Sequence, residues 1–292
     1  MIASLRASLA IIIVRIICLR HTLTMYLRAA HAETDVATLQ QFIRDNPLGI
    51  LTTAIPSPNY PLLQCSHIPW VLDVEERHEN DTQDGQGPNL GVLRGHMARQ
   101  NPQARAIIES LTSSSSSSFG QQQLNSEVMV LFNGPAHHYV TPKFYVETKP
   151  ATGKVVPTWN YSAAQAYGRA TVYHDANSPE TDAFLSKQVD DLSRYAETAI
   201  MGHVQPWQVA DAPEGYLRIM KKNIIGIRIE ITRLEGKFKM SQELPVGDRE
   251  GVIQGFNGMG TDVGREIAET VRRRGELSDR KKEEERKGNT SS

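Results

Sequence analysis

The sequence predicts an α+β protein centred on an antiparallel β-barrel with peripheral helices. Two observations carry that expectation. Seven or eight short apolar runs read as strands, and the helical segments between them never settle into the regular alternation of a βαβ fold. The 292 residues, 39% hydrophobic and 22% charged, provide for one main domain with additions.

Residues 1–24 read as a leader or upstream extension. Ile11 to Leu19 is apolar, yet it is shorter than the roughly 20 residues of a membrane-spanning helix and Arg15 interrupts it, so no stable span is expected. The segment is basic, with no acidic residue before Glu33, which leaves organelle targeting open beside translation from Met25.

The main domain is expected over 25–257. Thr34 and Asp35 precede Val36, Leu39, Phe42 and Ile43 at helical spacing, with Asn46-Pro47 behind, which predicts the first helix. Gly49–Ile55 and Ser66–Leu72 read as a hairpin around a loop from Pro56 to Pro61. A polar run near 75–89 reads as an insertion, and Leu90–Gly95 resumes as a strand. Asn101-Pro102 opens a short helix to Leu111. A second insertion near 112–126 carries the serine run and Gln121–Gln123.

Glu127–Phe132 is a strand, with Ala136–Val140 expected as its hairpin partner across Asn133-Gly134-Pro135. Tyr167–Tyr173 follows as a strand, Ser178-Pro179-Glu180 caps a helix through Leu192, and another short helix follows Asp211-Ala212-Pro213. Ile224–Ile231 is a half-buried strand, and Gly236–Met240 is expected to continue the sheet after a turn. Residues 258–292 read as a charged C-terminal tail, a solvated helix or disordered.

Charge and motifs narrow the function. Thirty-two basic against thirty-three acidic residues leave a net charge of −1, and no helix-turn-helix signature is present, so direct DNA binding is not expected. Cys18 and Cys65 are the only cysteines, which fits a reducing compartment such as the cytoplasm. P-loop, nucleophile-elbow and G-x-G-x-x-G patterns are missing, against nucleotide triphosphatase, hydrolase and dinucleotide-binding readings. Among the histidines, His137 and His138 are adjacent on a strand and point to opposite faces, so no metal site is expected.

Two segments carry candidate chemistry. Lys154-Val155-Val156-Pro157-Thr158-Trp159-Asn160-Tyr161 packs a cation, a proline, a hydroxyl, an indole, an amide and a phenol into eight positions. A planar cofactor needs apolar walls, fixed hydrogen-bonding groups and positive charge. The same residues also suit a strand entry with Trp159 and Tyr161 in the core and Lys154 solvated. His96 and Arg99 stand just ahead of the helix start at Asn101-Pro102, where free N–H groups and an arginine suit a phosphate; an ordinary strand-to-helix turn is the alternative. Lys237, Lys239 and Ser241 would share one face of a strand, to meet a phosphate, a substrate or water.

The order of motifs resembles the FMN-binding negative transcriptional regulators of the PaiB type, split-barrel proteins related to pyridoxamine-phosphate-oxidase-like folds. The resemblance rests on Met25-Tyr26, His67-Ile68-Pro69, Gly95-His96 through Pro102, Gly134-Pro135, Gly153 to Tyr161, Ala166 to Arg169, Pro206-Trp207, Asp211-Ala212-Pro213 and Ile231 to Gln242. It implies an FMN-binding split β-barrel and a homodimer with FMN at the subunit interface. It also implies His96, Arg99 and Asn101 at the phosphate and ribityl end, and Lys154, Thr158, Trp159, Asn160 and Tyr161 at the ring or the dimer-side wall. Lys239 and Gln242 are added to the same pocket, and His67 matches a family position. Where the family usually carries a tryptophan, in Thr141 to Tyr145, this chain has Phe144. The function implied is that of a dimeric flavoprotein with a regulatory or redox role. The alternatives are an FMN-dependent oxidoreductase acting on a small molecule and a haem-binding or haem-degrading split barrel.

Overall fold

Helix α1 (Val36–Asp45) begins where Asp35 accepts a hydrogen bond from Thr38 N at 2.7 Å, and it buries Leu39 and Ile43, as the spacing predicts. The computed structural model describes residues 26–74, 88–113 and 121–290. The expected leader at 1–24 and most of the insertions lie outside the described residues.

The chain is α+β, and one antiparallel sheet organises it. β2 (Leu48–Ala54) and β3 (Leu63–Pro69) form the expected hairpin. β2 also pairs with β6 (Gln121–Asn133), β6 with β8 (Thr158–Tyr173), β8 with β9 (Ile224–Lys239), β9 with β5 (Val92–Ala98) and β5 with β4 (Val71–Asp73). The order β3-β2-β6-β8-β9-β5-β4 ends on two strands that follow each other in the chain with Trp70 alone between them. The ladder is open, but one bent segment supplies both of its edges, and this curls the sheet into a barrel. Proline at position 69 has no N–H to give a ladder, which suits the bend.

Alternation fills the interior. Val128, Val130 and Phe132 on β6, Ala164, Ala166 and Val172 on β8, and Ile225, Ile227 and Ile229 on β9 are all buried, while Arg228, Glu230 and Lys237 point outward. Helices α2 (Pro102–Ser113), α4 (Pro179–Tyr195) and α5 (Glu214–Lys222) stand where the sequence predicts them, Ser178 caps α4, and a short helix α3 (Thr148–Thr152) precedes β8. β1 (Ala32–Glu33) pairs with the end of β9, and β7 (His138–Val140) with the start of β8.

Four expectations are corrected. Gln121–Gln123 belong to β6 and pair with Thr171–Tyr173, because a neighbouring strand satisfies the backbone of a polar run as well as of an apolar one. β7 does not return along β6, since β2 and β8 already occupy both edges of that strand. Ile224–Lys239 is a single strand: a register shift opposite Tyr167/Gly168 absorbs the extra residue that local polarity suggested as a turn.

The fourth correction concerns the C-terminus, where α6 (Val246–Asn257) and α7 (Asp262–Thr290) pack on the domain and bury Ile267, Ala268 and Val271. Arg249 pairs with Asp279, and Arg274 with Glu33 of β1. The charges around α7 hide a short apolar stripe on one face.

Candidate functional site

Most of the sequence-predicted residues converge at the start of β8. Backbone pairing sets Trp159 opposite Tyr139 of β7 on one side and Tyr161 opposite Lys239 of β9 on the other. Trp159 is 50% exposed, so it is no core residue. His137 stacks near its indole with ring centroids 6.4 Å apart, and Tyr139 meets it edge-on at 6.3 Å. A shallow depression of about 540 Å³ lies here, lined by Asn133, Gly134, Pro135, His137, Trp159 and Tyr161 among others. Gly134 fits because a Cβ there would collide with Ser162 Oγ on β8.

Positive charge borders the depression. Lys239 Nζ donates to Thr158 Oγ1 and, at 3.0 Å, to the Trp159 carbonyl, while Lys237 Nζ stands 5.5 Å from the centre of the Tyr161 ring and donates to the Tyr26 carbonyl. Burial pushes the Lys239 ammonium below its ordinary pKa, Glu243 opposes this, and Lys237 and Arg28 add to it. An acceptor or anion brought to Lys239 would therefore relieve both desolvation and like-charge repulsion. Lys154 is exposed just before this strand, after Gly153 in the left-handed region at φ 66°.

Behind this wall, two predicted residues have structural duties. Asn160 is fully buried and its Oδ1 accepts from Ser241 Oγ at 3.1 Å. Gln242 is saturated by backbone: its Oε1 accepts from Met240 N, and its Nε2 donates to Ala30 O and Phe238 O. β9 ends at Lys239, and Ser241 sits in a left-handed turn at φ 58°, so Ser241 does not share a strand face with the two lysines as expected. Phe144 is also elsewhere, edge-on to Phe256 and against Gly255 of α6.

His96 near the end of β5, with Arg99 and Asn101 on the turn before α2, forms a second group. Arg99 Nε donates to Lys222 O at 3.1 Å and Nη2 to His174 O at 2.6 Å, which leaves Nη1 outside these bonds. Asn101 accepts from Gln103 N at 2.8 Å, an N-cap contact, and donates to Ser66 Oγ. His96 is half-buried, burial pulls its pKa below the ordinary imidazole value, and its buried Nδ1 has no hydrogen-bond partner among the described residues. His67 is exposed on β3, opposite Ile50. None of these four residues meets the Trp159 group.

A family described as "Putative FMN-binding domain" matches residues 25–233. The chain belongs to this FMN-binding family. Among its relatives, an uncharacterized protein of Aspergillus fumigatus is 62% identical over 88% of this chain and its own full length. The protease synthase and sporulation protein PAI 2 of Bacillus subtilis is 22% identical over 85% of this chain and 96% of its own. Among solved structures, a conserved hypothetical protein of Mycobacterium tuberculosis aligns at 12% identity over 76% of this chain and 94% of its own, with a TM-score of 0.42.

In this member of the FMN-binding family, the aromatic depression at Trp159 has the groups that could hold a planar ring. Half-exposed rings give apolar walls, Lys239 and Thr158 give polar atoms at the rim, and Lys237 adds charge. Sequence reasoning missed Tyr139, whose place depends on β7 pairing with β8 rather than β6. His137, weighed in the sequence as a metal ligand, stands instead beside the Trp159 indole. The run His137-His138-Tyr139, three ring side chains between Ala136 and Val140, was the available signal.

Proposed function

We propose that the protein is an FMN-binding homodimer in which each flavin site is assembled from two chains. One observation supports this above all. His96 is paired with Gly226 at one end of β9 and Tyr161 with Lys239 at the other, thirteen residues apart, or roughly 43 Å of strand at 3.3 Å per residue. A single chain therefore presents two half-sites that one FMN does not span along this strand, whereas two chains related by a two-fold axis bring the His96 end of each to the Tyr161 end of the other. Trp159, Tyr161, Thr158 and Lys239 would hold the ring side, with Lys154 at its margin. Arg99 Nη1, Asn101 and His96 of the other chain would meet the phosphate and ribityl side. Bound FMN supplies one- or two-electron redox chemistry. The residues here position it, and the role is regulatory or redox.

Purified protein should be yellow with flavin absorption bands, one FMN per chain and the mass of a dimer. A Soret band would indicate haem instead, and protein that takes up neither cofactor sinks the reading. Arg99→Ala and Lys239→Met should each weaken FMN binding by about 1.5–3 kcal/mol, the range for hydrogen bonds to a charged group. Co-expression of the two variants gives the sharper result. A heterodimer then has one site with both defects and one intact, so close to half of those sites should regain wild-type affinity in fluorescence titration. No recovery would place both residues in one chain's site. Turnover of NAD(P)H with an added electron acceptor marks the redox role, and none across a broad panel marks the regulatory one.

A further inference from the structure

Lys237 is held between two aromatic rings. Its ammonium lies 5.7 Å from the centre of the Tyr26 ring and 5.5 Å from that of Tyr161, and it donates to the Tyr26 carbonyl at 3.2 Å. The side chain is half-buried, and its backbone partners are Ala163 on β8 and Ala32 on β1, which bring no polar side chain to it. Glu235, two residues earlier on the same strand face, bonds Arg233 at 3.2 Å. Among the described residues neither Lys237 nor Arg28 stands in an ion pair. Met25-Tyr26 carries part of the family resemblance and has no role in the half-sites above.

Three cations gather here against one carboxylate. Lys239, two residues on along β9, shares the face of Lys237, Arg28 adds a like charge, and Glu243 opposes them. Glu243 is itself shared, 3.1 Å from Nε2 of the buried His31. The whole chain carries a net charge of −1, so the excess is local. It stands where the Tyr161 ring borders the Trp159 depression. An ammonium has three N–H groups, so after the Tyr26 carbonyl Lys237 keeps two for a ligand.

We infer that Lys237 and Arg28, with Tyr26, form a binding site for a small organic anion beside the flavin ring, an inference resting on the FMN reading of the Trp159 depression. The ligand class is a carboxylate or phosphate monoester on a planar or apolar body. In the arrangement proposed above the FMN phosphate meets the Arg99 end, which leaves this charge for a second molecule. The two rings fix the Lys237 ammonium before a ligand arrives, so less ordering is needed on binding. Exposed Tyr26 and half-exposed Tyr139 and Trp159 offer apolar surface to the body of the ligand. Burial and like charge already hold the Lys239 ammonium below its ordinary pKa, and an anion nearby relieves that strain on the positive charge. A neutral molecule of the same shape gains the rings alone, so the site selects for charge.

The test uses full-length protein loaded with FMN. Benzoate should shift the visible flavin bands saturably, and benzamide, the same body without the charge, should bind at least tenfold more weakly. Phenyl phosphate in place of benzoate separates the two headgroups, and the tighter binder names the class. Benzoate affinity should fall as salt rises. Lys237→Met keeps an apolar chain between the rings, and Arg28→Gln changes an exposed side chain. Titrated on their FMN-loaded fractions, the first should raise the benzoate dissociation constant at least tenfold and the second at least threefold, with circular dichroism to check the fold. Benzamide bound as tightly as benzoate, or benzoate affinity unchanged in both variants, overturns the inference. A wild type that takes up no FMN defeats the earlier proposal instead. In that protein, benzoate quenching of indole fluorescence that Lys237→Met abolishes would still support the anion site, and no quenching would overturn it as well.

Discussion

Arg274→Met is expected to lower stability by about 3–5 kcal/mol at neutral pH, the range for breaking a buried ion pair by removal of one partner. Glu33 and Arg274 are each 9% exposed, and the guanidinium bonds Glu33 Oε2 while lying 3.4 Å from the centre of the Phe238 ring. Glu33 Oε1 is taken by Thr34 N and Asp35 N, both at 2.9 Å. Methionine keeps an apolar chain over Phe238 and removes only the charge. Urea denaturation measures the deficit, and a loss below 1 kcal/mol would show that α7 is not held by this pair.

The same carboxylate predicts the pH dependence. Burial pushes the Glu33 pKa up, but the Arg274 hydrogen bond and the Asp35 N–H outweigh it and the net direction is down from 4.5. A depressed folded-state pKa means that the group adds stability above its ordinary value and loses it as pH falls through the folded value. Wild-type stability from this pair is therefore full at neutral pH and fades below the ordinary carboxylate range. In Arg274→Met the carboxylate is buried without its cation, so protonation becomes favourable, and the gap between the two proteins should narrow on acidification. Parallel curves from pH 7 to pH 4 would contradict this account.

What the sequence discloses follows from how local each signal is. The caps at Asp35 and Ser178 act within three residues, and both helices were legible from them. The loop from Pro56 to Pro61 between two apolar runs placed the hairpin of β2 and β3, and alternation placed the interior of β9, since burial of one face imposes a period of two. The site was legible in part: Lys154 to Tyr161 was recognisable by its density of ring and polar groups. Its contact with Lys239 joins residues 81 apart and needs the β8–β9 register to be known. Arg99 was legible only as an arginine before a helix start; that its Nε and Nη2 bond carbonyls of Lys222 and His174 depends on contacts from far along the chain. Gln242 likewise spends its amide on backbone because Ser241 adopts a left-handed turn, a conformation that a serine does not announce.

Trp70→Ala is expected to cost about 3–5 kcal/mol, the range for truncating a buried large aromatic side chain. The residue joins β3 to β4, is 2% exposed, and its N–H bonds Pro47 O at 2.8 Å. Its indole fills the seam where the ladder is open. A Cβ on Gly49 of β2 would come within 2.9 Å of Trp70 Cδ1, and one on Gly95 of β5 within 2.8 Å of Cε3, so both glycines are the space in which the ring lies. Alanine at 70 removes the ring that lies against Gly49 of β2 and Gly95 of β5, and the barrel loses this contact at its seam. Trp70→Phe separates volume from polarity. It gives up part of the ring but also removes the indole Nε1, which is buried without a hydrogen-bond partner among the described residues, so its cost should be clearly smaller. Gly95→Ala attacks the same seam from the other side and should cost about 1–3 kcal/mol by overpacking. In the double variant Trp70→Ala/Gly95→Ala the added methyl enters vacated space, and the loss should be less than the sum of the two. Strict additivity in urea denaturation would mean that the indole and the glycine do not share the seam.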